Sequence, residues 1–331
     1  MATSIATAAL DEMFSRPDEH GVSLAFVARR GGEVVEQRYA TAPAGAPGGR
    51  SDVTAETTLV SWSMAKSITH ALVGILVGDG LIEVAAPAPV PEWAGTPKEA
   101  ITLQHLLEMR SGLRFVEDYV DGDASHCIEM LFGGTDPSFG HYAAMLDLEH
   151  PPGERFSYSS GTTNIVCRIV GDVLSGGSTD PDERRAAVDD VLRRRLFGPV
   201  GMSSATAKYD DAGDFVGSSF VYATADDFAR FGELYLHDGV TLAGRGERIL
   251  PEGWAEHGRT PTAHDDDSGF DHGRHFWSWP GFPGSFACHG YQGQYTLVLP
   301  DRDLVVVHLG VTDIAHQPGL RTFLTRIAEV L

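Results

Sequence analysis

Strand-like segments lie at the two ends of this chain, and helix-like segments fill its middle. Near the N-terminus, residues 22–28 and 33–39 have strand composition, and the glycines between them predict a hairpin. Near the C-terminus, three strands are predicted at about 284–289, 293–300 and 304–309, followed by a helix at 318–331. The pattern predicts an α+β fold, in which one antiparallel sheet is assembled from both termini and flanked by helices.

The helix-like segments in the middle of the chain predict an inserted, mainly helical domain. The 331 residues exceed the usual size of one domain. We therefore expect a sheet domain formed by residues 1–60 and 211–331, and a helical domain formed by residues 61–210. An active site is expected in the cleft between them, where pockets commonly form. The polar segments 41–50 and 260–275 are predicted to be loops, the second of them mobile.

The helical part is predicted to begin at a serine that has a lysine one turn after it, in the run Ser63-Met64-Ala65-Lys66. The chain has only three lysines but many arginines, and lysine, unlike arginine, can lose its proton and serve as a base. Side chains at i and i+3 share a helix face. Ser63 is thus a candidate nucleophile and Lys66 its base. In the alternative interpretation, Ser63 is an ordinary N-cap and Lys66 a solvated surface residue, since short motifs occur by chance.

A turn-rich run from Pro151 to Gly161 carries a second set of candidates. Tyr158 could act as a general acid or base if a neighbouring cation lowers its pKa. Ser160 could hydrogen-bond to Lys66 and orient it. Alternatively, Tyr158 is a half-buried aromatic residue with a satisfied hydroxyl, and Ser160 is a loop or cap residue.

A third set lies at the end of a predicted strand, in the run Cys288-His289-Gly290-Tyr291-Gln292-Gly293. Glycines at 290 and 293 would let the backbone approach a ligand closely. A backbone N–H presented there, together with that of Ser63, would form an oxyanion hole. The alternative interpretation of the two glycines is a bulge or a tight hairpin turn.

Composition argues against several classes of function. The net charge of −21 disfavours binding to nucleic acid or to anionic membrane surfaces. The three cysteines, Cys127, Cys167 and Cys288, are an odd number without metal-like spacing, so neither a disulfide framework nor a metal site is expected. Residues 1–20 lack the pattern of a secretory signal and no segment is apolar enough to span a membrane, so a cytoplasmic location is expected. Histidines and aspartates in 260–275 are expected to be solvated, and no cofactor is expected.

The three motifs, in this order, resemble those of the serine β-lactamase and penicillin-binding-protein family, in which S-x-x-K is a signature. The segment from Thr102 to Leu113 is similar to the T-L-x-H-L-L-x-M-x-S-G-L segment of the class C and esterase-like branch. The run from Pro152 to Ser160 is similar to its P-G-x-x-x-x-Y-S-x loop. Within that branch, Tyr-Ser-Ser and the stretch from Ser111 to Tyr119 are most similar to 6-aminohexanoate-dimer hydrolase and related carboxylesterases.

This resemblance implies a β-lactamase-like fold and a serine hydrolase, a carboxylesterase or amidase, that cleaves small esters or amides through an acyl-enzyme on Ser63. The implied site consists of Ser63, Lys66 and Tyr158 for catalysis, the N–H groups of Ser63 and Tyr291 for the oxyanion, and Ser160, Tyr119, His289 and Gly290 for substrate binding. No metal or organic cofactor is implied.

One departure from the family pattern limits the expected activity. True β-lactamases carry K-T-G where this chain has Cys288-His289-Gly290. Histidine is mostly neutral at neutral pH, so it is a poor substitute for a lysine that attracts a β-lactam carboxylate. Weak β-lactamase or D,D-peptidase-like activity, and an inactive ligand-binding protein, are the alternatives. The sequence leaves the oligomeric state open.

Overall fold

The computed structural model of the chain describes residues 2–40, 52–119, 125–244, 246–266 and 268–331. Its strands are β1 (Val22–Arg30), β2 (Glu33–Tyr39), β3 (Leu59–Val60), β4 (Thr206–Ala207), β5 (Val221–Ala223), β6 (Ala263–Asp265), β7 (Phe270–His272), β8 (Trp277–Ser278), β9 (Phe286–Gly290), β10 (Gln294–Leu299) and β11 (Leu304–Val311). The loop predicted at 41–50 lies outside the described residues.

Helices account for most of the remaining regular structure. The α-helices are α1 (Ala2–Ser15), α2 (Pro17–His20), α3 (Ala65–Gly78), α4 (Leu103–Leu107), α5 (His126–Ile128), α6 (Phe139–Met145), α7 (Ser160–Leu174), α8 (Pro181–Val191), α9 (Gly198–Val200), α10 (Ala225–Leu236), α11 (Trp254–Arg259) and α12 (Gln317–Val330). Short 3₁₀ or π-helical turns cover Trp62–Met64, Pro91–Trp93, Pro97–Ala100, Glu129–Gly133, Leu192–Phe197, Tyr291–Gly293 and Pro300–Arg302.

The main sheet joins the two ends of the chain. Its strand order is β2-β1-β11-β10-β9-β8-β7-β6, and neighbouring strands are antiparallel. Strand β1 pairs with β11 from Val22 opposite Val311 to Arg30 opposite Leu304. The predicted fold class, an α+β fold with an antiparallel sheet built from both termini and flanked by helices, is confirmed.

The expectation of a mobile loop at 260–275 is wrong. Strands β6 and β7 lie there and, with β8, extend the sheet. In β7, Phe270 and His272 point inward and are 4% and 0% exposed, whereas Asp271 between them accepts a hydrogen bond from His264 on the outer face. The strands are only two or three residues long and their outer face is polar, so composition concealed the alternation that marks a strand.

Helices cover both faces of the sheet. On one face, Leu10 and Met13 of α1 pack with Leu324 and Ile327 of α12 over inward residues of the sheet such as Phe26. Helix α10 lies on the opposite face, where its glycine permits close approach. A Cβ atom added at Gly232 would lie 2.5 Å from Val305 Cγ1. The larger hydrophobic core continues from this face into the helical part of the chain.

Helix α3 runs through that core. Every residue from Ala65 to Leu76 is buried, which is typical of a helix that has protein on all sides. The small sheet β3-β5-β4 lies just before α3 and pairs Val60 with Tyr222. This sheet is near residues 60 and 210, where the two domains are expected to meet. The proposed division itself stays a prediction.

Two kinds of feature are absent from the described residues. No helix in this part of the chain combines the length and apolarity needed to cross a membrane. Within the same residues, no group of three or more His, Cys, Asp or Glu side chains is arranged to hold a metal ion.

Candidate active site

The backbone around Ser63 is held tightly by the small sheet. Ser61 N–H donates to Val221 O at 2.8 Å, and Val221 N–H donates to Ser61 Oγ at 3.1 Å. The next residue, Trp62, has a φ of 43°, a left-handed conformation that is rare for a bulky side chain. Such strain costs about 1–3 kcal/mol and is concentrated at functional sites. This backbone conformation of Trp62 places Ser63 in a 3₁₀ turn at the front of α3, facing a cavity.

Lys66 is buried beside Ser63. The residue is 2% exposed, so it is not a solvated surface lysine. Its Nζ donates to Ser63 Oγ at 2.9 Å, to Ser160 Oγ at 3.0 Å and to the Ser218 carbonyl oxygen at 2.9 Å. These acceptors match the three donors of an ammonium group. The predicted pair of Ser63 and Lys66 is therefore within hydrogen-bond distance, and Ser160 contacts Lys66 as expected.

Tyr158 lies against the same ammonium group. Lys66 Nζ is 4.9 Å from the centroid of the Tyr158 ring, and the ring packs against Trp277 at 5.4 Å. Burial raises the pKa of Tyr158, and the positive charge of Lys66 offsets only part of this rise. The sequence predicts acid–base chemistry for Tyr158 on the condition that a neighbouring cation lowers this pKa. The cation is present but the net shift is upward, so Tyr158 is a neutral phenol at neutral pH, a form suited to donating a proton.

The sequence analysis missed Glu117. This carboxylate accepts hydrogen bonds from the Ser160 backbone N–H at 2.7 Å, from Ser160 Oγ at 2.6 Å and from Tyr119 Oη at 2.7 Å. It is thus connected to Lys66 through Ser160. Local sequence patterns offer no signal for it, because Glu117 and Ser160 are far apart in sequence and meet only where the loop after α4 crosses the start of α7.

The end of β9 comes close to the nucleophile segment. A Cβ atom added at Gly290 would lie 2.4 Å from the Ser61 carbonyl oxygen, so only glycine permits this approach. Tyr291 follows directly, and its ring lies 4.9 Å from that of Tyr119 and 5.9 Å from that of Trp62. The structure therefore brings the backbone of Tyr291 next to the segment that carries Ser63. Their roles as oxyanion donors stay a prediction.

His289 occupies the wall of the cavity as a neutral side chain. Its ring stacks on Tyr295 with centroids 4.6 Å apart. Burial, together with the nearby charge of Arg321, lowers the pKa of His289 from 6.5 to about 3. The imidazole therefore carries no charge at neutral pH, and it cannot supply the cation that a K-T-G lysine would provide.

Two cavities meet at Ser63. The larger has a volume of about 660 Å³, and the smaller has a volume of about 170 Å³. Ser63, Tyr119 and Tyr291 line both of them. The larger cavity also contacts Glu117, Tyr158, His289, Gly290, Arg155 and Arg321. The smaller one is walled mainly by apolar side chains, among them Trp62, Leu131 and Phe132. A bound molecule could therefore place different groups on the two sides of the serine.

Comparison with known proteins agrees with this geometry. The model of the β-lactamase family matches residues 10–317, which is most of the chain. The chain belongs to the β-lactamase family. It is a serine hydrolase, as expected from the motifs around Ser63, Tyr158 and Gly290.

Relatives of this β-lactamase-family protein include enzymes and penicillin-binding proteins. The chain is 27% identical over 320 residues to 6-aminohexanoate-dimer hydrolase of Paenarthrobacter ureafaciens, a match that covers 90% of this chain and 76% of the relative. It is 28% identical over 297 residues to penicillin-binding protein 4 of Amycolatopsis lactamdurans, covering 78% and 73% of the two chains. The predicted likeness to both groups is confirmed.

Solved structures share the fold of this β-lactamase-family protein. A family VIII carboxylesterase superposes with a TM-score of 0.74 at 15% identity and covers 100% of this chain and 98% of its own. An octameric penicillin-binding protein homologue from Pyrococcus abyssi superposes with a TM-score of 0.71 at 19% identity, covering 100% of this chain and 78% of its own. At these identities the likeness establishes the fold alone.

Proposed function

We propose that this β-lactamase-family protein hydrolyses small esters or amides through an acyl-enzyme on Ser63. The observation that carries the proposal is the 2.9 Å contact between Lys66 Nζ and Ser63 Oγ, made by a lysine that is 2% exposed. A buried amine in contact with a hydroxyl can activate it as a nucleophile. The cavity beside Ser63 provides room for a substrate.

In the acylation step, Lys66 reacts as the neutral amine: Ser63 Oγ attacks the substrate carbonyl carbon, and its proton passes to Lys66 Nζ. The carbonyl oxygen becomes an oxyanion held by the backbone N–H groups of Ser63 and Tyr291, each of which lowers the barrier by about 3 kcal/mol. The leaving alcohol or amine takes a proton from the phenol of Tyr158, and the phenolate is reprotonated by Lys66. The bond from the carbonyl carbon to the leaving group breaks, leaving the acyl group on Ser63.

In the deacylation step, water attacks the acyl-enzyme. Tyr158 with Lys66 accepts a proton from the water, and Ser63 Oγ leaves with a proton returned from the same pair. The acid product and the starting protonation state are then restored. Every proton is exchanged among Ser63, Lys66, Tyr158, the substrate and the attacking water, so the cycle consumes only the substrate and one water molecule.

The substrate class follows from the cavity and the relatives together. Relatives and structural neighbours include a protein named 6-aminohexanoate-dimer hydrolase and a family VIII carboxylesterase. Two arginines, Arg155 and Arg321, line the larger cavity together with two acidic residues, Asp265 and Glu117, and the carboxylate of Glu117 is taken up by Ser160 and Tyr119. We therefore favour a substrate with an anionic group at some distance from the scissile bond over a cationic one.

A weak β-lactamase or D,D-peptidase-like activity is the second candidate, supported by the relationship to penicillin-binding protein 4. The chain has Cys288 where K-T-G has its lysine, and the adjacent His289 is neutral, so neither residue supplies the cation that would pair with a β-lactam carboxylate at that position. An inactive protein that only binds a ligand is the third candidate. The buried contact between Lys66 and Ser63 disfavours it, since ligand binding alone does not require such a pair.

Labelling with a fluorophosphonate tests the nucleophile. We expect the probe to add its mass at Ser63 in the wild type and in Ser157→Ala, which changes another serine of the same cavity. We expect no labelling in Ser63→Ala, together with loss of turnover by a factor of about 10⁴ or more. An unchanged melting temperature would show that Ser63→Ala is folded. Labelling of a different serine would exclude Ser63 as the nucleophile.

A substrate panel then separates the candidate functions. It contains p-nitrophenyl esters, short amides with and without a terminal carboxylate, and nitrocefin. Turnover of esters or amides with poor hydrolysis of nitrocefin supports the proposal. Preferred turnover of nitrocefin favours the β-lactamase alternative, and absence of both labelling and turnover favours the ligand-binding protein.

A further inference from the structure

We infer that Glu117 is a positioning residue which acts through Ser160 and turns the free electron pair of Lys66 toward Ser63. This inference rests on the proposed function and assigns a role to a residue outside the three motifs. It follows from the direction of each hydrogen bond around Lys66.

The hydroxyl of Ser160 has a single proton to donate. A carboxylate only accepts hydrogen bonds. The 2.6 Å contact between Ser160 Oγ and Glu117 Oε1 therefore uses the one proton of the Ser160 hydroxyl. As a result, Ser160 Oγ can only accept in its 3.0 Å contact with Lys66 Nζ. Glu117 thus determines the direction of a hydrogen bond in which it takes no part.

The remaining contacts of Lys66 determine where the electron pair of its neutral amine points. The Ser218 carbonyl oxygen, 2.9 Å from Nζ, is also only an acceptor. A neutral amine has two N–H groups, and both are then required by Ser160 and Ser218. Of these three contacts, only the one to Ser63 Oγ at 2.9 Å can reverse its direction. The electron pair of the neutral amine is therefore directed away from Ser160 and Ser218 and toward the Ser63 hydroxyl, with which the Tyr158 phenol also interacts, as general-base activation requires.

A simpler role for Glu117 is also available. Glu117 accepts a hydrogen bond from the backbone N–H of Ser160, which lies in the first turn of α7, where a carboxylate stabilises the helix N-terminus. The side chain of Ser159 already serves as the N-cap by accepting from Thr162 N–H at 3.0 Å. A capping role explains the contact to the backbone N–H of Ser160, but it does not require the contact to the hydroxyl. The two roles differ in what they predict for the reactivity of Ser63.

Glu117→Gln separates the two roles. The carboxamide has one oxygen and one NH₂ group, whereas Ser160 presents two donors to this site. With the amide oxygen on the Ser160 N–H, the NH₂ group donates to Ser160 Oγ and frees the hydroxyl to donate to Lys66. The electron pair of Lys66 then faces Ser160 instead of Ser63. Glu117→Asp keeps the charge and both acceptors on a shorter side chain.

The experiment measures the rate at which a fluorophosphonate phosphonylates Ser63, as a function of pH. In this reaction the Oγ–P bond forms, fluoride leaves and the proton of Ser63 passes to Lys66, so the rate reports the base without a known substrate. The proteins are the wild type, Glu117→Gln, Glu117→Asp, Ser160→Ala and the double variant Glu117→Gln/Ser160→Ala. Melting temperatures are recorded for each.

We expect Glu117→Gln to slow phosphonylation by a factor of about 10 to 100 near neutral pH. We expect the acidic limb of the pH–rate profile of this variant to move to lower pH by about one unit, because a nearby negative charge no longer favours the protonated amine. Glu117→Asp should keep the wild-type limb. In the Ser160→Ala background, Glu117→Gln should slow the reaction less than about twofold further, because both changes remove the same hydrogen bond.

Two results would overturn the inference. One is a Glu117→Gln variant with lowered stability but the wild-type rate and limb, which is the signature of a helix cap. The other is a full additional loss of rate when Glu117→Gln is placed in the Ser160→Ala background. Should Glu117→Gln fail to fold, Ser160→Ala decides alone, since wild-type labelling in that variant contradicts the inference. Failure of the proposed function is distinct, because Ser63 of the wild type would then not be labelled at all.

Discussion

Lys66 and His70 lie one turn apart on helix α3, and both are buried ionisable residues with polar partners. Lys66 donates to Ser63, Ser160 and Ser218. One turn further along the helix, His70 Nδ1 contacts Tyr235 Oη at 2.7 Å and His70 Nε2 contacts His257 Nδ1 at 3.1 Å. Burial and satisfied hydrogen bonds are common to the two sites.

The difference between the two sites is access to a cavity. Ser63, the partner of Lys66, lines both cavities, whereas Tyr235 and His257 line neither of those two. His70 instead stacks on Trp254 with ring centroids 4.7 Å apart. Burial lowers the pKa of His70 well below its usual value, and nearby His257 lowers it further. One helix thus carries a reactive residue in its first turn and a neutral structural cluster one turn later, and only the first can meet a substrate.

The largest expected effect is a loss of turnover when Lys66 is replaced. Both Lys66→Arg and Lys66→Met should lower kcat by a factor of about 10³, because arginine keeps the charge but cannot serve as the base. Steady-state kinetics on the best ester of the panel measures this loss, with thermal melts as the control for folding. Near-normal turnover in Lys66→Arg would mean that the proton chemistry of lysine is not used.

A matched pair of tyrosine variants sharpens the comparison. Tyr158→Phe should lower kcat by a factor of about 10², because the leaving group loses its proton donor. Tyr235→Phe should leave turnover by the folded protein unchanged but lower the free energy of unfolding by about 1–3 kcal/mol, since His70 Nδ1 loses its partner. Kinetics and urea unfolding on both variants test this. The comparison fails if the two variants show the same balance of activity and stability.

The smallest expected effect is a pH dependence of the free energy of unfolding that arises from the cluster around His70. Burial and the charge of Arg274 lower the pKa of His257 from 6.5 to about 4. Above pH 6.5 this histidine is neutral in both states, so it adds no pH dependence. As the pH falls from 6.5 to about 4, only the unfolded state takes up the proton, and the free energy of unfolding decreases. The decrease should be about 2 kcal/mol after allowance for solvent screening.

Urea unfolding at about pH 7.5 and about pH 5 measures this dependence. The control is His257→Gln, which keeps a polar side chain next to His70 but cannot be protonated. We expect a shallower decrease in the variant than in the wild type. Equal slopes in the two proteins would show that His257 does not contribute to the loss of stability in acid.

The residues that local patterns identified are those whose neighbours in sequence are also neighbours in space. Ser63 and Lys66 are one helical turn apart, and Tyr158 and Ser160 belong to a single loop, so the chemistry of each pair is visible in a few letters. Strands β6 and β7 were missed for a different reason. Each is only three residues long, and a polar outer face interrupts the run of apolar residues that would mark it.

The sequence by itself determined the fold class, the nucleophile candidate and its base, because these depend on periodicity and on contacts along one helix. Only the tertiary structure decided that Lys66 is buried, that Tyr158 is neutral at neutral pH and that Glu117 reaches Ser160. Burial and pKa depend on the atoms that surround a group, and most of those atoms come from distant parts of the chain. Hydrogen-bond direction likewise depends on every partner around a group, so the role of Glu117 emerges only when the loop, α3 and α7 are assembled.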